Sequence, residues 1–344
     1  MDKYKDKGLT GLANVGNSCY LNSCMQILSH TYELNDFLVK ETYKKNLNNK
    51  PDSVILVEWD SLRKMMWSDN CTIAPHGFVN AVKRVSAMKD RDIFAGNMQN
   101  DIQEFLLFIF ECFHNALARN VDMQISGNVM NETDKLAKEC YDMMKSMYQK
   151  EYSEMLTMFY GIHVSIISSI SDGKSLSIRP EPFSVLSLSI PATKTVTLND
   201  CMDLYCTQEE MTGENAWMND NTGKKEDVNR GIVFWSLPRI LIIDLKRWVG
   251  NGNTKNTKLV RAPLCDLDLT CYVRGYNKES YVYDLFGVCN HSGGAFGGHY
   301  TAHIQNANEK WYTFNDTNVA EVSVDKVISQ NSYCLFYRKK KSVC

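Results

Sequence analysis

The spacing of apolar positions changes character near residue 160. Before it, apolar side chains recur at helical intervals: Leu21, Cys24, Met25 and Leu28 fall at i, i+3, i+4 and i+7, and Phe105, Leu106, Ile109, Cys112 and Phe113 form a second such face. A Met-rich stretch from Met143 to Met158 continues that texture. Beyond it come short runs of β character, Val164 to Ile170, Phe183 to Ile190, Ile240 to Leu245 and Tyr281 to Val288, closed by a hairpin between about residues 300 and 314. Two Gly- and Asn-rich segments, Val249 to Asn256 and Ser292 to Gly298, interrupt these runs and are expected as mobile surface loops. The pattern predicts an α+β chain, a helical lobe followed by a mostly antiparallel sheet lobe.

Composition narrows the class. The 344 residues leave room for one large catalytic unit or two domains, and with no internal repeat, no low-complexity tract and only 7 prolines nothing marks a flexible linker. Thirty-eight Lys plus Arg against 40 Asp plus Glu leave a formal charge of -2. That removes the electrostatic attraction a nucleic acid or an anionic bilayer requires, so neither is expected as a partner. The longest apolar run, Phe105 to Phe110, is too short to span a membrane, and the first residues lack the apolar core of a signal peptide. The 12 cysteines include no CxxC pair, which argues against a disulfide framework or a zinc knuckle and for small buried hydrophobes in a reducing cytoplasm or nucleus. The glycosylation sequons at Asn70, Asn131 and Asn315 are no more than length alone supplies.

Cys19 stands apart from the other cysteines. It follows a turn-rich approach, Gly11 to Ser18, and opens the first helical pattern. A helix N-terminus favours thiolate over thiol, and its free N–H groups can form part of an oxyanion hole, to which Asn14 on the preceding loop adds a side-chain donor. A thiolate nucleophile needs a base. Of the 7 histidines, His299 is the best situated: it follows a glycine-rich segment and opens a strand in which Tyr300, Ala302 and Ile304 alternate with polar residues. If that strand forms a hairpin with Trp311 to Phe314 whose tip is near residue 307 or 308, His299 lies opposite Asn315 or Asp316, either of which could fix its tautomer. His303, on the same face, is the competitor and has no polar partner expected across the strand.

Five segments then carry a resemblance: Gly11-Leu-x-Asn-x-Gly-Asn-Ser-Cys-Tyr-Leu-Asn-x-x-x-Gln-x-Leu28, Gln99-Asn-Asp-Ile-Gln-Glu-Phe-Leu106, Leu237-Pro-x-Ile-Leu-Ile-x-x-Leu-Lys-Arg-Trp248, Gly298-His-Tyr-Thr301 and Trp311-Tyr-x-Phe-Asn-Asp316. In this order they resemble the signature boxes of the ubiquitin-specific protease family, and they cover about residues 9 to 338. The resemblance implies a papain-like cysteine protease fold with thumb, palm and fingers, a single catalytic domain over 1–344 with a mainly helical thumb at 9–158 and fingers and palm at 159–344. It implies a thiol isopeptidase that needs no cofactor, cleaves after the C-terminal glycine of ubiquitin, and takes ubiquitin and ubiquitinated proteins as partners, with targeting left to unidentified partners or to its own surface. Cys19 becomes nucleophile, His299 base then acid, Asn315 its orienting residue with Asp316 beside it, and Asn14 an oxyanion donor. Asp101, Gln103, Glu104, Trp248, Gly298 and Tyr300 would face the arginine-containing ubiquitin tail, and the two Gly- and Asn-rich segments would be the loops bordering its channel. Where relatives carry two CxxC pairs for a fingertip zinc, this chain reads Ser169-Ile-Ser-Asp172 and Met218-Asn-Asp-Asn221, so no metal is expected. A protease for another ubiquitin-like modifier and a non-catalytic ubiquitin-binding scaffold stand as the alternative readings.

Overall fold

The computed structural model describes residues 1–341 apart from 221, 251, 253, 295 and 296. Helices dominate up to Phe159 and long strands follow from Gly161. In the helical lobe, Asp52–Ser68, His76–Met88 and Ile102–Leu117 pack together around Trp59, Phe78, Phe105 and Phe110, and Cys19–Ser29 joins the same core. The apolar spacing of Cys19–Ser29 predicts one buried face, yet all of its residues are buried. The reason lies outside the helix: it is wedged between Ile102–Leu117 and the strand Gly297–Gln305. The amide donors of its buried Gln26 and Asn22 are partnered, Gln26 Nε2 donating to the Thr10 carbonyl at 2.7 Å and Asn22 Nδ2 to Asp316 Oδ1 at 2.8 Å.

The main sheet is eight-stranded and runs from Asn318–Glu321 through Trp311–Asn315, Gly297–Gln305, Val282–Gly294, Ser332–Lys339 and Ile240–Lys246 to Val185–Ser189, with Leu267–Asp268 beside Val282–Gly294. Along this order only Ile240–Lys246 and Val185–Ser189 run parallel. One face carries Ile242, Cys289, Ala302, Phe314 and Phe336 against the helical lobe, and the other carries Leu241, Ile243, Leu335 and Tyr337 into a second core under the helix Leu198–Cys206. Opposite Cys289 stands Cys334, but opposite Asn290 stands Ser332, so Tyr333 is an extra residue in its strand. Such a bulge lets neighbouring side chains turn to one side, and Tyr333 and Cys334 both pack in the core facing the helices.

A second, four-stranded sheet, in the order Ser175–Phe183, Gly161–Ser169, Val228–Ser236 and Glu209–Met211, forms the finger-like extension. The helix Glu132–Lys150 covers one of its faces through Leu136, Ala137 and Cys140. The run expected from Phe183 to Ile190 is in fact divided: Phe183 ends an edge strand of this sheet, and Val185–Ser189 crosses into the main one. The two segments expected as loops are largely paired. Trp248–Val249 pairs with Thr254–Lys255, and Ser292, Gly293 and Gly294 pair with His299, Gly298 and Gly297. Residues 251, 253, 295 and 296 of those expectations lie outside the described residues. Among the described residues no helix is long and apolar enough to cross a membrane.

Candidate active site

The approach to Cys19 turns through Gly16 and Asn17, both at positive φ. Asn14 spans that turn. Its Oδ1 accepts from the Ser18 N–H at 3.1 Å, which fixes the start of the helix, and its Nδ2 donates to Asp316 Oδ2 at 3.0 Å. Cys19 is 2% exposed and sits against the backbone of Tyr300, the residue after His299. Burial pushes its thiol above the ordinary range, the nearby Asp316 charge adds to that, and the N–H groups of Tyr300, Tyr20 and Cys19 itself oppose it. Burial thus works against the thiolate expected from the helix N-terminus.

Across the site, His299 Nε2 lies 2.6 Å from Asn315 Oδ1. An amide oxygen can only accept, so Nε2 carries the hydrogen and Nδ1 is left as the proton acceptor. Among the described residues no hydrogen bond joins His299 to Cys19. The route to this contact differs from the expected one. Gln305 pairs with Trp311 and Ala302 with Phe314, which centres the hairpin on residue 308 and would set His299 opposite Thr317. The strand Trp311–Asn315 ends first, and the imidazole reaches Asn315 on the diagonal of the same face. Asp316, at φ 49°, has turned away to accept from Asn14 and from Asn22 Nδ2, while its carbonyl accepts from the Leu12 N–H at 2.9 Å. The same register puts Thr313 opposite His303, contrary to the expectation of no polar neighbour. His303 Nδ1 bonds the Val327 carbonyl at 3.3 Å and burial lowers its pKa, so it is held neutral as a strut.

Beside these groups opens a cavity of about 420 Å³ whose walls include Asp101, Gln103, Glu104, Trp248 and Tyr300 from the sequence-derived set. Gly298 is not part of that wall. Its N–H donates to Gln99 Oε1 at 2.8 Å and its carbonyl accepts from Gln99 Nε2 at 2.7 Å, a double clamp between helical lobe and sheet. Asp101 is the N-cap of Ile102–Leu117, accepting from the Gln103 N–H at 2.7 Å, and its other oxygen takes the Tyr333 hydroxyl at 2.6 Å. Six further residues complete the wall: Gln99, Asn100, Gly252, His291, Gly294 and Tyr333. Gln99 and Asn100 open one of the motif segments, and Gly252 and Gly294 fall in the two Gly- and Asn-rich segments; His291 and Tyr333 carried no local signal. His291 is packed among Trp248, Tyr300 and Tyr333, and Lys255 Nζ donates to its Nδ1 at 3.0 Å. Burial and then the Lys255 charge bring its pKa down to about 4, which makes it a neutral wedge.

At the finger tips, Ser169 bonds Ser171, Asp172 accepts from the Lys174 N–H at 3.1 Å, and Met218 is exposed; Asn221 lies outside the described residues. Among the described residues no group of three or more His, Cys, Asp or Glu side chains could hold a metal.

Comparison with known proteins adds to this geometry. Residues 10–337 match the family model described as ubiquitin carboxyl-terminal hydrolase. The chain is 32% identical over 341 residues to ubiquitin carboxyl-terminal hydrolase Usp2 of Drosophila melanogaster, covering 97% of this chain and 35% of that protein. It is 32% identical over 351 residues to ubiquitin carboxyl-terminal hydrolase 2 of Homo sapiens, covering 98% and 56%. The chain thus spans about a third to a little over half of these relatives' lengths. Its fold is similar to that of a SAGA DUB module of Ubp8, Sgf11, Sus1 and Sgf73 bound to monoubiquitin, with a TM-score of 0.74 at 22% identity, covering 99% of this chain and 71% of that one.

Proposed function

The chain belongs to the ubiquitin carboxyl-terminal hydrolase family, and on that premise we propose that residues 1–344 act as one catalytic unit, a thiol-dependent deubiquitinase with a thumb at 9–158 and fingers and palm at 159–344. The observation that carries the proposal is the His299 Nε2 to Asn315 Oδ1 bond of 2.6 Å beside a buried cysteine at a helix N-terminus. With Nε2 occupied, His299 Nδ1 takes the proton of the Cys19 thiol as Sγ attacks the carbonyl carbon of ubiquitin's last glycine. Burial that disfavours the thiolate fits this order of events, because thiolate and imidazolium then form together at the moment of reaction. Negative charge that develops on the carbonyl oxygen meets the N–H of Cys19 and the second N–H of Asn14 Nδ2, whose first N–H is held by Asp316. His299 returns the proton to the leaving amine, and water hydrolyses the thioester by the same base.

The cavity walled by Asp101, Gln103, Glu104, Trp248 and Tyr300 suits an extended basic tail: carboxylates accept from guanidinium groups, and aromatic faces support them. Gly298 keeps the sheet close to the helical lobe at its edge. Ubiquitin, bound in the SAGA module that this chain resembles in fold, is the proposed partner, with ubiquitinated proteins as substrates. Free cysteines at all described cysteine positions support a reducing compartment, cytoplasm or nucleus. Incubation with ubiquitin bearing a C-terminal electrophile, beside equivalent probes built on other ubiquitin-like modifiers, tests this reading. A covalent adduct on Cys19 with the ubiquitin probe is expected; a folded protein that reacts with none of them, or only with another modifier, refutes it.

A further inference from the structure

One side chain behind the cavity wall stands a carboxyl with no cation. Asp244 lies within Ile240–Lys246, is 3% exposed, and has Ser187 and Cys334 as its neighbours on the adjoining strands. The Cys334 thiol donates to Oδ1 at 3.7 Å. Ser187 Oγ accepts from Gln103 Nε2 at 2.6 Å, which frees its own hydrogen for Asp244. No ion pair reaches Asp244 among the described residues: Lys246 and Arg247 act on it only at a distance, and the Arg247 guanidinium gives its hydrogen bonds to the carbonyls of Ser332, Asn256 and Lys258. From the helix side the Asp101 carboxylate faces it, and Glu104 follows on the same wall. The thiol of Cys334 and the phenols of Tyr300 and Tyr333 are kept neutral by burial first and by these acids second.

We propose that Asp244 is a proton-linked third acid of the channel, a specificity-determining residue that retains its proton to higher pH while the channel is empty and gives it up when a cationic tail enters. The inference rests on the reading of the cavity as the site of a basic tail. Its physical basis is that an uncompensated carboxyl buried behind Asp101 gains most from a guanidinium arriving in front of it, since the interior screens that charge little. Burial first, and the Asp101 charge second, push its pKa up to about 7, where such a change is felt near neutrality. Binding of a basic tail then releases a proton, and affinity rises with pH. If the tail lowers the transition by about one pH unit, binding tightens about tenfold in all, and roughly fivefold between about pH 6 and about pH 8.

The test is titration calorimetry of Cys19→Ala protein with ubiquitin over that pH range, in buffers of different ionisation heat. Proton release near neutral pH and roughly fivefold tightening are expected in Cys19→Ala; in Cys19→Ala/Asp244→Asn, folded by circular dichroism, both should vanish. Ubiquitin whose tail arginines are replaced by leucine should bind Cys19→Ala more weakly and release no proton. Release that persists in the Asp244→Asn background, or with the leucine-tailed ubiquitin, overturns this inference alone. If Asp244→Asn does not fold, the leucine-tailed arm decides. Failure of folded Cys19→Ala to bind ubiquitin at all overturns the functional reading instead.

Discussion

Adding a single methyl group at Gly298 probes the junction between cavity and hairpin. A Cβ there would lie 2.2 Å from His291 Nε2 and 2.7 Å from the Ser292 carbonyl oxygen, both far inside van der Waals contact. His291 cannot easily yield, because it is 4% exposed, wedged by three aromatic rings and held by Lys255. Ser292 is paired to His299 itself. Retreat of Gly298 is opposed by the two bonds to Gln99. The φ of Gly298 suits any L-residue, so the effect of Gly298→Ala is steric and not one of backbone strain. Relief requires the strand to shift by about 1 Å, an overpacking cost of about 1–3 kcal/mol. The shifted residue next in line is His299, and a displacement of about 1 Å at a proton-transfer group lowers kcat by roughly 100-fold. The assay is steady-state hydrolysis of a ubiquitin C-terminal fluorogenic amide, with thermal melting as the control for folding. His291→Ala added to Gly298→Ala removes the nearer obstacle and should restore part of the rate. If Gly298→Ala keeps kcat and KM within about twofold of the parent protein, the packing argument is wrong.

The remaining predictions concern how labour is divided around the site. Asn315→Ala should lower kcat by about 100-fold and distort its pH profile, because the tautomer of His299 is no longer fixed. Asp316→Ala releases Asn14 and Asn22 and should lower kcat by about 10- to 100-fold, with the Cys19 limb of the profile moved to lower pH by loss of the neighbouring charge and the His299 limb unchanged, so an exchange of these two signatures would reverse the assignment. Asp101→Lys should raise KM by about 10- to 100-fold with little change in kcat, and also lower the melting temperature through loss of the helix cap. An unchanged KM in the folded variant rules out the tail contact, while Asp101→Asn, which retains the cap, separates charge from stability. His303→Ala should leave kcat within about threefold, since its ring serves the Val327 carbonyl; a loss as large as that of His299→Ala would show the wrong base was chosen.

What could be read from the sequence was whatever depends on local order. The turn-rich approach and apolar spacing fixed Cys19 at a helix start, and strict alternation from Tyr300 to Gln305 gave the face on which His299 lies. Burial is a property of the whole chain and was not legible: nothing local says that Asn22, Ser23 and Gln26 become interior, or that burial pushes the Cys19 thiol up. The diagonal contact of His299 with Asn315 depends on where a strand stops, which pairing arithmetic does not contain. Ser175–Phe183 escaped notice because Pro180 and Pro182 read against a strand, and an edge position tolerates them. Tyr333 reached the cavity only through a bulge, an offset in pairing with no signature in either strand alone.

The bonds that assemble the site join distant parts of the chain: Asn14 to Asp316 across 302 positions, Asp101 to Tyr333 across 232, and Gln99 to Gly298 across 199. The entropy of closing such loops is lost before the contacts that reward it exist, so these junctions belong to the late stages of folding, after helices whose bonds are local. A polypeptide leaving the ribosome has made Cys19 long before it has made His299, Asn315 or Asp316. Until the hairpin and its neighbours dock, that thiol has no base, no oriented Asn14 and no completed channel wall. Partly folded chains are therefore catalytically silent, and the onset of turnover during refolding should track the last docking event and not the gain of helix.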